Sequence, residues 1–252
     1  MKLMGRITSL IQTVILISFS YFIYSLIKDN TILYYIHPRM VPALYFTIII
    51  LVILAFNEIS KLLKPTPSSR GIKLFHLIFL ITLFVGFFSE HRPIDYHSIE
   101  LRGINYRGIE SEKTPIDKEE DFIIPIINSK VSLGAESYIE NLTNIIYNFS
   151  YFHGAEIEVE GFIYRKDHYD VNQFAIARVA IQCCAADAEI LGLLSHWEYG
   201  NELPENTWVR ITGNLQSFQY FDETLKREIA TPIIIVEELE EIDEPANPYV
   251  YQ

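Results

Sequence analysis

A run of 21 residues, positions 7–27, carries no charged side chain. As a helix rising about 1.5 Å per residue it spans roughly 31 Å, the thickness of a bilayer's hydrocarbon core. Residues 41–59 repeat the pattern, broken only near their end by Glu58, and residues 74–89 form a shorter apolar run with His76 near its start. The expectation is a membrane anchor over residues 1–89 with about three transmembrane α-helices, at 7–27, 41–59 and 74–89. A cleaved leader is the rival reading of the first run. Lys2 and Arg6 supply a basic start, but no small-x-small site follows, and Lys28 and Asp29 arrive directly after the apolar stretch.

Charge divides the chain at the same place. Residues 1–89 carry a net +6 and residues 90–252 a net −18, which together give the −12 of the whole chain. A domain this acidic repels phosphate backbones, which argues against a nucleic-acid partner. Cationic ligands suit the field better, although solubility alone accounts for the same numbers. Basic residues near the span ends set an expected orientation in the cell membrane. Lys2 and Arg6 at the start, and Lys61, Lys64, Arg70 and Lys73 in the second loop, outnumber Lys28 and Arg39 in the first. The positive-inside rule then puts the N-terminus in the cytoplasm and, with three spans, the acidic domain outside it. If residues 74–89 do not cross, the domain changes side.

Residues 90–121 read as a linker, interrupted by Pro93 and Pro115 and densely charged over 110–121. Residues 122–252 read as the soluble domain. Its first apolar run, 122–127, is broken by Pro125 and is at best an edge strand. Tyr138, Ile139, Leu142, Ile145, Ile146 and Phe149 then recur at helical spacing. From His153 the period becomes two: over 155–165, Ile157, Val159 and Ile163 face one way and Glu156, Glu158 and Glu160 the other. Gly161 falls where a bulge or sharp bend is useful. Residues 173–183, 207–217 (with Gly213 at its centre) and 231–242 are further strands, 218–229 a hairpin, and 185–196 one helix. Strands bent at glycines with a helix inserted late in the series point to a mainly-β domain, a small OB-like barrel with one or two packed helices. An antiparallel sheet packed on the 138–149 helix is the alternative.

The two cysteines of the chain are adjacent, in the run Cys183, Cys184, Ala185, Ala186, Asp187. By alternation Cys183 shares a face with Val179 and Ile181 and points into the core. Cys184 then points away or opens the following helix, where the positive end of the dipole favours thiolate chemistry and metal ligation. Three readings stay open. Cys183 can be a small core hydrophobe with Asp187 as a helix cap. Cys183, Cys184 and Asp187 can bind a metal ion; three ligands do not close a tetrahedral site, so a remote histidine (His153, His168 or His196) would complete it. Or the thiols can be a redox pair, although adjacent Cα atoms, about 3.8 Å apart, lie below the usual disulfide range. The sequence contains no C-x-x-C, G-x-S-x-G, Walker A or H-E-x-x-H pattern, and no enzymatic activity is expected. A metal ion is the one cofactor the residues suggest.

With these residues in view, the chain resembles the YcgQ-like family of uncharacterised bacterial membrane proteins. The resemblance covers the apolar N-terminal runs and the loop Tyr35, Ile36, His37, Pro38, Arg39. Its most specific part is Phe174 to Arg178 leading into Cys183, Cys184, Asp187 and Ala188. Trp208 to Gly213, Pro232 with its apolar run, and Pro245, Pro248, Tyr249 and Tyr251 add to it. It implies a permease subunit whose partner is a multi-span permease in the same lipid bilayer, and transport as the process; it supplies no catalytic site. His37 and Arg39 are loop candidates for a functional contact. A helix-start turn with Arg39 snorkelling at the interface is the preferred account of them.

Overall fold

The computed structural model describes residues 2–63, 74–94, 96, 99, 130–166, 169–222 and 227–251. The expectations placed on 110–121, on 122–127 and on His168 lie outside these residues. The described chain forms two compact units: Met1–Pro93 with Cys183–Ala185, and Ile94–Gln182 with Ala186–Gln252.

The first unit is helical. α1 (Lys2–Lys28) and α2 (Val41–Leu63) are joined by two short 3-10 turns, Thr31–Tyr34 and Pro38–Met40, and α3 (Leu74–Phe88) comes after them. α1 and α2 are long and apolar enough to cross a membrane. α3 has 15 residues, about 22 Å of helix, which is shorter than a bilayer core. Among the described residues, two helices reach spanning length where about three were expected.

Most large apolar side chains of this unit point outward; Phe46 is 64% and Phe56 69% exposed. The hydroxyls turn back onto their own helices. Thr13 donates to the Ser9 carbonyl (2.9 Å), Ser20 to Leu16 (2.9 Å), Thr47 to Ala43 (3.0 Å) and Thr82 to Ile78 (3.0 Å). Such bonds satisfy a hydroxyl without water. α1 meets α3 through aromatic edges, Phe19 on Phe79 with centroids 6.0 Å apart and Phe22 on Phe87 at 5.1 Å. Gly86 admits the approach, since a Cβ there would stand 2.9 Å from the Phe22 ring.

The second unit is built on one seven-stranded sheet: β1 (Lys130–Leu133), β2 (Glu156–Tyr164), β3 (Gln173–Ile181), β4 (Glu189–His196), β5 (Trp208–Asp222), β6 (Arg227–Glu241) and β7 (Tyr249–Tyr251). Five strands close on themselves, each paired with the next around the ring β2, β3, β4, β6, β5 and back to β2. All these pairings are antiparallel except β4 with β6, which is parallel. β1 adds to β2 in parallel, and β7 adds to β3 beyond the segment that pairs with β2. The sheet is therefore a closed five-stranded barrel with an extra strand on each of two neighbours.

Its core contains Ile157, Val159, Ile163, Ile176, Val209, Ile211, Leu215 and Ile234, and takes in one face of α4 (Tyr138–Tyr147). Tyr138, Leu142 and Ile145 of α4 lie at i, i+4 and i+7, and all are buried. α5 (Phe149–Phe152) is one further turn.

The period-two reading of β2 holds: Ile157, Val159 and Ile163 are buried, while Glu156, Glu158 and Glu160 are half-exposed. The expected irregularity is found at Gly213, while Gly161 marks a close backbone approach with a regular ladder. A Cβ on Gly161 would run into the Ala177 carbonyl, at the stretch where β2 engages β5 and β3 together. Gly213 sits at the register shift of the β5–β6 ladder, against the Ile235 carbonyl.

Residues 185–196 are not a helix. One 3-10 turn, Ala185–Asp187, leads into β4. The run Ile190, Leu191, Leu193, Leu194 suits either state by pattern. β4 is the strand that joins β3 to β6 and completes the ring, and Gly192 has no room for a side chain against the Ile176 carbonyl.

Candidate functional site

β3 ends at Ile181, two residues before the cysteines. The alternation that would have buried Cys183 stops there, and Cys183 is exposed while Cys184 is half-buried. The expected placement of Cys183 in the core under Val179 and Ile181 is thus overturned. So is a helix N-terminus at Cys184, because the chain there enters a turn of only three residues. Asp187 caps no helix: its Oδ1 accepts from the Gln182 N–H at 3.0 Å and closes the corner into a loop.

Within this loop the two Sγ atoms stand 3.7 Å apart, outside any disulfide. One ligand atom from each of Cys183, Cys184 and Asp187 falls within 4.8 Å of the others. The trio expected from the sequence therefore converges. Among the described residues, His153 and His196, two of the histidines proposed to complete it, do not join the group. His196 is at the far end of β4, level with Gln173, whereas Glu189 pairs with Ala180 beside the loop; seven strand residues put it roughly 23 Å away. His153 is exposed after α5, edge-on to Phe149 at 5.8 Å.

Glu189 comes just after the loop, and burial together with the Asp187 charge pushes its carboxyl above the usual glutamate range. In the first unit, the backbone of 183–185 pairs with the loop at Ile36. The His37 N–H donates to the Cys183 carbonyl (3.0 Å), the Ala185 N–H donates to the Tyr35 carbonyl (2.8 Å), and Ile36 bridges Cys184. The His37 ring accepts from the Arg39 N–H at 3.0 Å and caps the turn Pro38–Met40, which is the helix-start role.

A second polar cluster escaped the sequence reading. Arg178 lies in the middle of β3, 2% exposed. Its guanidinium sits 4.9 Å from the Trp208 ring centroid and its Nε donates to the Pro248 carbonyl at 3.3 Å. Burial lowers its pKa. The Trp208 indole donates to the Tyr96 hydroxyl (3.0 Å), which donates to Glu244 (2.9 Å), and Tyr96 stacks on Phe162 at 3.9 Å. This cluster fastens the C-terminal segment onto the barrel. An arginine inside an otherwise apolar strand was the signal for it, since a buried charge needs a dedicated partner set.

Fold and loop together define a class: a closed β-barrel domain carrying an exposed thiol–carboxylate corner, in a chain that begins with long apolar helices. The chain belongs to the DUF1980 family. The DUF1980 N-terminal domain matches residues 11–105 and the DUF1980 C-terminal domain residues 112–252. It is similar along its length to the UPF0703 protein YcgQ of Bacillus subtilis (strain 168), with 23% identity over 289 residues covering 96% of this chain and 99% of that protein. Among solved structures, the mitochondrial single-stranded DNA binding protein Rim1 of S. cerevisiae matches with a TM-score of 0.23 at 10% identity, over 35% of this chain and 95% of that one. The small single-stranded DNA-binding protein of Streptomyces coelicolor matches with a TM-score of 0.23 at 9% identity, over 36% and 95%. Likeness at that level implies no shared activity.

Proposed function

We propose that the chain is a membrane-anchored, non-enzymatic accessory subunit of a transport system, its barrel of the OB type and its helices docked beside a multi-span permease. The observation that carries this reading is the outward apolar surface of α1 and α2 on helices whose hydroxyls are bonded to their own backbone. Such helices suit a bilayer and neighbouring helices and are poorly suited to water. The strand ring, with its one parallel pairing between the third and fifth barrel strands in chain order, supports the OB assignment. The strongly acidic C-terminal part suits presentation of a cation near a transporter's mouth.

The test is affinity isolation of the full chain from native membranes in mild detergent. A multi-span protein recovered in near-equal amount is expected. A chain recovered alone from cross-linked membranes would overturn the subunit reading and leave a free-standing membrane protein.

A further inference from the structure

We infer that the loop of residues 182–187 is a binding site for a borderline-soft divalent cation of the Zn2+ type, held by the Cys183 and Cys184 thiolates and the Asp187 carboxylate. The spacing of the sulfurs fits such an ion. Two thiolates on a tetrahedral Zn2+, each about 2.3 Å from the metal, stand roughly 3.8 Å apart. The observed separation is 3.7 Å. Linear two-thiolate coordination would draw the same sulfurs roughly 4.6 Å apart at that bond length, so the loop is set for a bent, tetrahedral bite.

The carboxylate is placed to serve as a third ligand. Asp187 reaches the thiol pair because its Oδ1 is tied to the Gln182 N–H across the loop, and its donor atom lies within 4.8 Å of both sulfurs. A tetrahedral S–M–O angle calls for roughly 3.5 Å, so binding draws the carboxylate in by no more than roughly 1.3 Å, a side-chain adjustment outside the core. The site is local to six consecutive residues and needs no distant histidine.

Three protein ligands leave the fourth tetrahedral position to water or to an incoming donor. Structural zinc sites use four protein ligands and are closed; a three-ligand site at an exposed loop is built for exchange. Binding displaces two thiol protons and forms two metal–sulfur bonds, with no change of oxidation state. A mixed thiolate–carboxylate donor set also discriminates against Mg2+ and Ca2+, which take all-oxygen ligands. The acidic surface attracts those ions without holding them as specifically. This inference stands apart from the subunit reading, since the loop can bind metal whether or not a permease is present.

The experiment uses the full chain in detergent, reduced, with excess Mg2+ to occupy the acidic surface, titrated with Cd2+ as a spectroscopic stand-in for Zn2+ and then competed with Zn2+. A thiolate-to-metal charge-transfer band saturating at one Cd2+ per chain, and reversed by Zn2+, is expected. Cys183→Ser and Cys184→Ser should each lower the band and weaken Zn2+ by at least about tenfold, and Asp187→Asn should weaken Zn2+ while the band remains. These positions are exposed or half-exposed, so circular dichroism should be unchanged in all three variants. No charge-transfer band, or Zn2+ affinity unaltered in the double cysteine-to-serine variant, would overturn the site.

Discussion

At the scale of single residues, buried or crowded charge is the main source of testable behaviour. Glu189 opens β4 beside Asp187, and burial, then the Asp187 charge, holds its folded-state pKa above the ordinary value. The folded chain therefore keeps this proton over a window where the unfolded chain has released it. Stability contributed by the neutral form is complete below the usual glutamate pKa, about 4.3, and is lost as pH rises through the folded value. Glu189→Gln should accordingly raise the melting temperature at neutral pH, with the gain vanishing below about pH 4. Melting curves across that range check the sign, and a gain that grew on acidification would contradict it. Arg178 is the opposite case, a permanent charge kept inside by an aromatic face and one carbonyl. The sequence reading missed it: its place inside an apolar strand was a signal of burial, but Trp208 and Pro248 are brought to it only by the fold.

At the scale of elements, barrel closure depends on strands that change partner along their length. β2 pairs with β5 through residues 156–162 and with β3 through residues 162–164, and Gly161 lies at the crowded passage. Any side chain there meets the Ala177 carbonyl. That backbone cannot retreat without breaking the ladder. Gly161→Ala should therefore cost about 1–3 kcal/mol, read as a lowered denaturation midpoint. An unchanged midpoint would mean that the two strands are further apart than described.

The glycines at 161 and 213 were legible in sequence because they broke clear alternation. The strand at 189–196 was not: Ile190, Leu191, Leu193 and Leu194 fit a buried strand and a helix alike. β1 and β7 were likewise invisible as strands, being four and three residues long and defined by the edges they join.

At the scale of the whole molecule, in the membrane-anchored reading proposed above, α3 governs which side of the membrane the acidic domain would occupy. Its 15 residues are short of a bilayer core, yet a short apolar helix can be accommodated by local thinning at a modest cost. The basic residues of the second loop oppose its passage outward and favour an N-terminus and loop in the cytoplasm. We propose that α3 crosses and that residues 90–252 are extracytoplasmic. With Cys183 and Cys184 replaced by serine and one cysteine placed within 110–121, an impermeant maleimide should label intact cells. Labelling only after the membrane is opened would put the domain in the cytoplasm and leave two spans.

Sequence alone determined the helical N-terminal part, the charge division between +6 and −18, the amphipathic face of α4 and the alternation of β2. Each of these is a local pattern, readable because helix hydrogen bonds and side-chain faces repeat within a few residues. Only the tertiary structure decided that 189–196 is a strand, that β3 stops at Ile181, and that Cys183, Cys184 and Asp187 converge at an exposed corner. Strand pairing is non-local, so the state of one strand is set by the vacancy its neighbours leave in the ring. The cysteines escaped the core for that reason, because the strand that would have buried them had already ended.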